Sequence, residues 1–235
     1  MTIEPTARAL SPFGRPVVWG IALAALAGVT LGLSLSAALW PVLPGDVTVA
    51  RWLQAHPFPF AREVARVVNA LGYAPSAVLL SATLAGLLSW RRLPRLAAVV
   101  LLALPLRLLP SALKTIVASP RPTPDLIEVL ESPSDPGFPS GHAFGAVLLF
   151  GFVWWLAPGL ARSRLTCRAL RALALCLILA TGYSRVLVGA HWPSDVIGGY
   201  LWGLLVLLPL LRAASLWAKT AGHEAGPQGA NGHTR

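Results

Sequence analysis

Six apolar stretches in this chain each approach or exceed the length a helix needs to cross a bilayer. They run approximately over Val17–Trp40, Ala70–Trp90, Leu96–Val117, Ala143–Ala161, Leu170–Val188 and Val196–Trp217. A hydrocarbon core takes roughly 17–25 helical residues to span. Trp40, Trp90, Trp154, Trp155 and Trp217 fall near the ends of these runs, where indole rings prefer the membrane–water boundary. Only 12% of the 235 residues are charged, against about 25% in a soluble domain, which points to a lipid-facing surface rather than a large aqueous one. The expected fold is all-α, a polytopic membrane helix bundle of six transmembrane helices with a short amphipathic segment between helices one and two. That segment, Asp46–Asn69, mixes apolar residues with Arg51, Arg62 and Arg66 and reads as a surface-lying helix or pair of helices. Residues 1–220 form one membrane domain, and the Gly-rich polar tail 221–235 is expected to be disordered.

Charge sets the orientation. The net charge is +10, from 19 basic and 9 acidic residues. With six spans, Arg8, Arg15, Arg91, Arg92, Arg95, Arg162, Arg164, Arg168, Arg171, Arg212, Lys219 and Arg235 share one side of the membrane. Arg51, Arg62, Arg66, Lys114, Arg121 and Arg185 lie on the other, and Arg107 falls within the third span. The positive-inside rule therefore predicts both termini in the cytoplasm. The first span is long for a cleavable signal sequence and reads as an uncleaved anchor. Arginine far outnumbers lysine and alanine is abundant, the usage of a GC-rich bacterial genome. The expected location is a bacterial inner membrane, with the outer loops in the periplasm. Basic residues dispersed between apolar runs do not form the patch that nucleic acid requires. Cys167 and Cys176 are separated by about 13.5 Å of helical rise, too far for a disulfide, and no metal-ligand spacing is present.

Three segments on the non-cytoplasmic side carry chemistry: Lys114-Thr-Ile-Val-Ala-Ser-Pro-Arg121-Pro122, Pro139-Ser140-Gly141-His142, and Ser184-Arg185-Val-Leu-Val-Gly-Ala-His191-Trp-Pro-Ser-Asp195. Ionisable groups at membrane depth are expensive and tend to be functional. Three cations at helix ends imply an anion between them, and a phosphate suits guanidinium forks and an ammonium. Ser140 is suited to cap the helix that follows, and the free N–H groups of that first turn favour an anion. Pro193 is a good first-turn residue for the last helix, which places Asp195 within reach of the His191 ring. Such a contact fixes the tautomer and leaves the other nitrogen free to attack. The acidic loop residues Asp125, Glu128, Glu131 and Asp135 could discourage anionic ligands or pair with Arg121, but read as a solvated loop with no catalytic role. Arg107, about two turns before Lys114, could pair within the bundle or line a lipid path, but is expected to snorkel toward the cytoplasm.

The order Lys-x6-Arg-Pro, Pro-Ser-Gly-His, Ser-Arg-x5-His-x3-Asp resembles the three-part signature of the type-2 phosphatidic acid phosphatase superfamily. The motifs cover Lys114–Asp195, and the six-span layout is similar to the membrane branch over nearly the whole chain. The resemblance implies that His191 attacks phosphorus, Asp195 orients it, and His142 protonates the leaving alkoxide. It implies further that Lys114, Arg121, Ser140, Gly141 and Arg185 hold the phosphoryl oxygens, with no metal or other cofactor. The implied substrate is a membrane lipid phosphate or pyrophosphate, such as undecaprenyl pyrophosphate, phosphatidylglycerol phosphate, phosphatidic acid or a lipid A phosphate. A lipid phosphotransferase would use the same residues, with an acceptor hydroxyl in place of water. A transporter with a degenerate site is disfavoured by the intact His142, His191 and Asp195.

Overall fold

A computed structural model gives the fold of residues 16–224, with side chains placed as far as Trp217. Arg8, Arg15 and Arg235, the Lys219 side chain and tail residues 225–235 lie outside the described residues. Nine helices and no strand are found among those described. They are α1 (Pro16–Leu39), α2 (Asp46–Ala55), α3 (Ala61–Gly72), α4 (Ala74–Trp90), α5 (Pro94–Leu106), α6 (Leu109–Val117), α7 (Gly141–Leu160), α8 (Arg164–Leu187) and α9 (Pro193–Glu224). The all-α membrane bundle is thus as the sequence predicts.

Three boundaries differ from the expectation. Five segments are long and apolar enough to cross a membrane: α1, Pro94–Val117, α7, α8 and α9 as far as Trp217. The sixth is a bent pair, because α3 and α4 meet at 70° and α4 alone has 17 residues. The third predicted stretch is broken at Arg107 and Leu108 into α5 and α6, with Pro105 just before the break and Pro110 in the next first turn. Proline removes an amide donor and crowds the preceding turn, so a helix rarely runs straight through two of them. The last helix continues through Glu224, past the point where the polar composition begins.

The bundle is organised around α7. Residues Ala143 to Leu149 are buried at seven consecutive positions, so this helix is enclosed on every face. A helix apolar all round belongs in the centre of a bundle. It packs against α8 and α9, and its lower half joins α4, α5 and α9 in the main core with Leu88, Val100, Phe152, Trp155 and Leu211. Small residues bring α7 and α9 together: a side chain at Gly203 would strike Val147, and one at Gly151 would strike Leu207. Close backbone approach of this kind substitutes in lipid for the missing hydrophobic drive between helices.

Helix α1 shows the inverted membrane pattern. Its buried residues are Thr30, Ser34 and Ala37, a stripe of small residues on one face, while Val17, Ile21, Val29, Leu31 and Leu35 are exposed. The stripe faces α9, where the Trp202 indole donates to Ser34 Oγ at 3.1 Å. Such interhelical bonds are worth about 0.6 kcal/mol on average, enough to choose a face but not to hold the helix alone.

Arg107 is turned inward. Its Nη2 donates to the Gly72 carbonyl at 3.2 Å, and its guanidinium lies against Gly145. The expected snorkelling is overturned for a physical reason. Gly72 ends α3 at the 70° bend, so its carbonyl has lost a helical partner, and leaving such a group unpaired costs about 1–3 kcal/mol.

Arginine–tryptophan pairs mark one end of the bundle. Arg91 lies over Trp90, Arg95 over Trp217, Arg171 over Trp154 and Arg212 over Trp19, with distances of 4.5–5.9 Å to the ring centres. The other end carries α2, α3, the loop between α6 and α7, and the turn between α8 and α9.

Candidate active site

That second end gathers the three motif segments. Helix α6 stops at Ala118, whose backbone is left-handed (φ 52°) and whose N–H donates to the Lys114 carbonyl. Pro120 and Pro122 then flank Arg121 and hold the chain extended. Helix α7 begins with Ser140 as its cap, and the hydroxyl accepts from the Ala143 N–H at 3.4 Å. Pro193 opens α9, and Asp195 in its first turn reaches back to accept from the Trp192 N–H at 3.0 Å. This is half of a capping box, and it aims the carboxylate at the neighbouring histidine. The two helix starts are tied directly, since the Ser140 N–H donates to the Asp195 carbonyl at 3.0 Å.

The His191 ring makes two hydrogen bonds of 3.2 Å, from Nδ1 to Asp195 Oδ2 and between Nε2 and Arg121 Nη1. A guanidinium can only donate, so Nε2 is the acceptor and the proton sits on Nδ1, given to Asp195. Burial, followed by the charges of Arg121, Lys114 and Arg185, holds the imidazole well below its ordinary pKa. The ring is thus neutral with its Nε2 lone pair directed at cations. Gly137 permits this arrangement, because a side chain there would collide with Asp195 Oδ2.

The cations converge through the loop between α6 and α7. Lys114 Nζ donates to Asp135 Oδ2 at 2.5 Å, and Arg121 Nη2 to Asp135 Oδ1 at 2.8 Å. Arg121 also donates from Nε to the Asp135 carbonyl at 2.7 Å and from Nη1 to the Ala190 carbonyl at 2.5 Å. Arg185, only 2% exposed, donates from Nη2 to Glu131 Oε2 at 2.8 Å, while its Nε and Nη1 have no protein partner. Glu131 and Asp135 are therefore not simply a solvated loop: the pairing with Arg121 that the sequence allowed is made by Asp135, and the pairs with Lys114 and Arg185 were not foreseen. They serve as counter-ions for all three cations. Burial works against the Asp135 charge, but hydrogen bonds from Lys114 and Arg121 outweigh it and keep the carboxyl below its ordinary range.

His142 lies in the first turn of α7, its ring nearly perpendicular to that of Tyr73 with centroids 5.3 Å apart and its Cδ2 beside Gly72. Its Nε2 is buried without a protein partner. Electrostatically it is close enough to bear on His191. Gly141 lies next to Pro110, with its backbone at the head of α7.

A supporting set escaped the sequence reading. Asp46 accepts from the Ser194 N–H at 2.9 Å and the Ser194 hydroxyl at 2.6 Å, a remote cap for α9. Gln54 exchanges hydrogen bonds with the Glu128 backbone, donating at 2.8 Å and accepting at 3.1 Å. Asn69 accepts from Ser184 Oγ at 2.7 Å and donates to Glu131 at 3.4 Å. Helices α2 and α3 thus hold both the acidic loop and the start of α9. The signal available was weak: Asp46, Gln54 and Asn69 stand among alanine, valine and arginine, but so do Thr48 and Glu63.

The profile of the PAP2 superfamily matches residues 92–218, more than half of the chain and all of the motif residues. The crystal structure of the first transmembrane PAP2 type phosphatidylglycerolphosphate phosphatase from Bacillus subtilis aligns with a TM-score of 0.64 at 23% identity. The alignment covers 88% of this chain and 98% of that one, a likeness of fold. No curated protein sequence matches the chain.

Proposed function

The chain belongs to the PAP2 superfamily, and from that membership we propose that it is a membrane phosphatase acting on a lipid phosphate or lipid pyrophosphate through a phosphohistidine on His191. One observation carries the reading: a single guanidinium, that of Arg121, bonds both the His191 lone pair and the carboxylate that also takes Lys114. A phosphoryl group exchanged for that carboxylate meets the nucleophile and two cations at once.

The steps follow from the donors available. Phosphoryl oxygens accept from Lys114, from Arg121 and from the Nε and Nη1 of Arg185, with the Ser140 hydroxyl and the first-turn N–H of Gly141 completing the cradle. As Arg121 turns its Nη1 to an oxygen, His191 Nε2 is freed and forms the N–P bond. The bond from phosphorus to the leaving oxygen breaks in line. His142, in its protonated form, gives its proton to that oxygen, and the lipid alcohol or lipid phosphate departs. Asp195 carries the hydrogen bond of Nδ1 throughout and stabilises the charge that develops on the ring. Water, losing a proton to His142, then attacks phosphorus, and the N–P bond breaks to release phosphate. Side-chain cations neutralise the equatorial oxygens, a task that metal ions perform in many phosphotransferases. We read the Arg–Trp end of the bundle as the cytoplasmic one, which supports a periplasmic site and cytoplasmic termini.

Two measurements test this. Purified protein should release phosphate from at least one member of a panel of phosphatidic acid, phosphatidylglycerol phosphate, lipid A and undecaprenyl pyrophosphate, with activity unchanged by EDTA. Loss of activity on chelation, restored by added metal, would contradict the mechanism. Arg185→Lys should lower kcat/KM by about 10–100-fold, because an ammonium cannot replace a fork that serves Glu131 and the phosphate together. Near-native kcat/KM in that variant would remove Arg185 from the phosphate cradle.

A further inference from the structure

The three cations of the phosphate cradle are not idle side chains. Each is engaged by a carboxylate from the one loop, Asp135 on Lys114 and Arg121, Glu131 on Arg185. We propose that Asp135 and Glu131 are an internal counter-anion, which competes with phosphate for these cations and so sets the affinity for both the substrate and the released orthophosphate. The proposal rests on the reading of Lys114, Arg121 and Arg185 as the phosphate cradle, and it assigns a function to two residues outside the family motifs.

Three features argue for competition rather than a fixed scaffold. First, the contacts are of the kind phosphate would make. Asp135 presents two oxygens to an ammonium and a guanidinium at 2.5 and 2.8 Å, in the manner of two phosphoryl oxygens. Second, the two sides of each pair differ in freedom. The cationic side chains of Lys114, Arg121 and Arg185 are 9%, 9% and 2% exposed, whereas those of Asp135 and Glu131 are 52% and 35% exposed. The cations are held in the protein while the carboxylates reach them from the solvent side, so the acids can swing out without opening the core. Third, the charge is conserved on exchange. Two carboxylates leave and a phosphomonoester dianion enters, so no cation is stranded at a buried position where an unpaired charge is costly.

The advantage lies in turnover. Three converging cations would grip a phosphate dianion hard, and the product of the reaction is itself such an ion. A tethered competitor lowers the apparent affinity in proportion to the fraction of time it holds the site. It also returns as orthophosphate leaves, which keeps the product from rebinding.

The experiment compares wild type with Asp135→Asn and with Glu131→Gln, full-length in detergent. Orthophosphate is titrated calorimetrically and also used as a competitive inhibitor of lipid hydrolysis. Asp135→Asn should lower the orthophosphate dissociation constant, its inhibition constant and the substrate KM together, by about tenfold if the carboxylate holds the cations nine-tenths of the time. Glu131→Gln should act in the same direction with a smaller change, since it frees one cation rather than two. The rise in Tm on adding orthophosphate should be larger in both variants than in wild type, a readout independent of how stable each apoprotein is. Weaker or unchanged orthophosphate binding in Asp135→Asn overturns the proposal and makes the loop a scaffold for the cations. If no lipid in the panel is hydrolysed yet the variants bind orthophosphate more tightly, the phosphatase reading falls and the counter-anion stands.

Discussion

Replacing His191 with alanine is expected to abolish phosphate release, with kcat falling by on the order of 10⁴-fold or more. The ring is 3% exposed, bonded on one side to Asp195 and on the other to Arg121, and no second nucleophile shares that position. Alanine leaves the Asp195 carboxylate with its bond from the Trp192 N–H, and leaves Arg121 with Asp135 and the Ala190 carbonyl. The local scaffold therefore survives, and substrate affinity should change far less than turnover. A variant that kept even one-tenth of wild-type kcat would show that water attacks phosphorus directly, and His191 would then be only a hydrogen-bonding partner of Arg121. Phosphate release and lipid binding measured on the same preparation separate the two cases.

His142→Ala should instead give a loss that depends on the leaving group. For a lipid alkoxide, which departs only as the alcohol, kcat should fall by about 10²–10⁴-fold, the usual contribution of a positioned general acid. For p-nitrophenyl phosphate the phenolate leaves without help, and the loss should shrink to about tenfold or less, set by the remaining base role toward water. The same magnitude of loss on both substrates would take His142 out of the acid role. Its position makes the test clean. The ring rests against Tyr73 and Gly72 and its Nε2 has no protein partner, and the hydrogen bond of the ring with the Asn69 backbone is lost equally for both substrates, so it cancels in the comparison.

The sequence carries some of this molecule openly and hides the rest for identifiable reasons. Spans were legible because lipid imposes a length and an apolar composition that can be counted directly. Breaks were not. Pro105 and Pro110 bracket the interruption between α5 and α6, yet proline is tolerated often enough in membrane helices that the run Leu96–Val117 still reads as one segment. The bend after Gly72 depends on Arg107, which supplies a donor 35 residues away to the carbonyl that the bend exposes. At the site, His191, Pro193 and Asp195 lie within five residues of chain, so their relation follows from a local device, a first-turn aspartate reaching back across the start of the helix. Asp46 and Ser194 are 148 residues apart, Asn69 and Ser184 115, and Glu131 and Arg185 54. Pairings at such separations leave no local pattern, and only the packing of α2, α3 and the acidic loop around the start of α9 reveals them. Asp135 shows the limit most plainly. Its neighbours in sequence suggest a wet loop with Arg121 as one possible partner, and its neighbours in space are two cations, Arg121 and Lys114.

In this mechanism the phosphorus passes through His191. Rapid-quench labelling with a ³²P-phosphorylated lipid substrate, followed by peptide mapping under alkaline conditions that preserve phosphoramidates, reads this directly. Label on the peptide containing His191 in the wild type, accumulating in His142→Ala and missing from His191→Ala, is the predicted result. Label on any other residue, or steady turnover with no covalent label at any quench time, would contradict it.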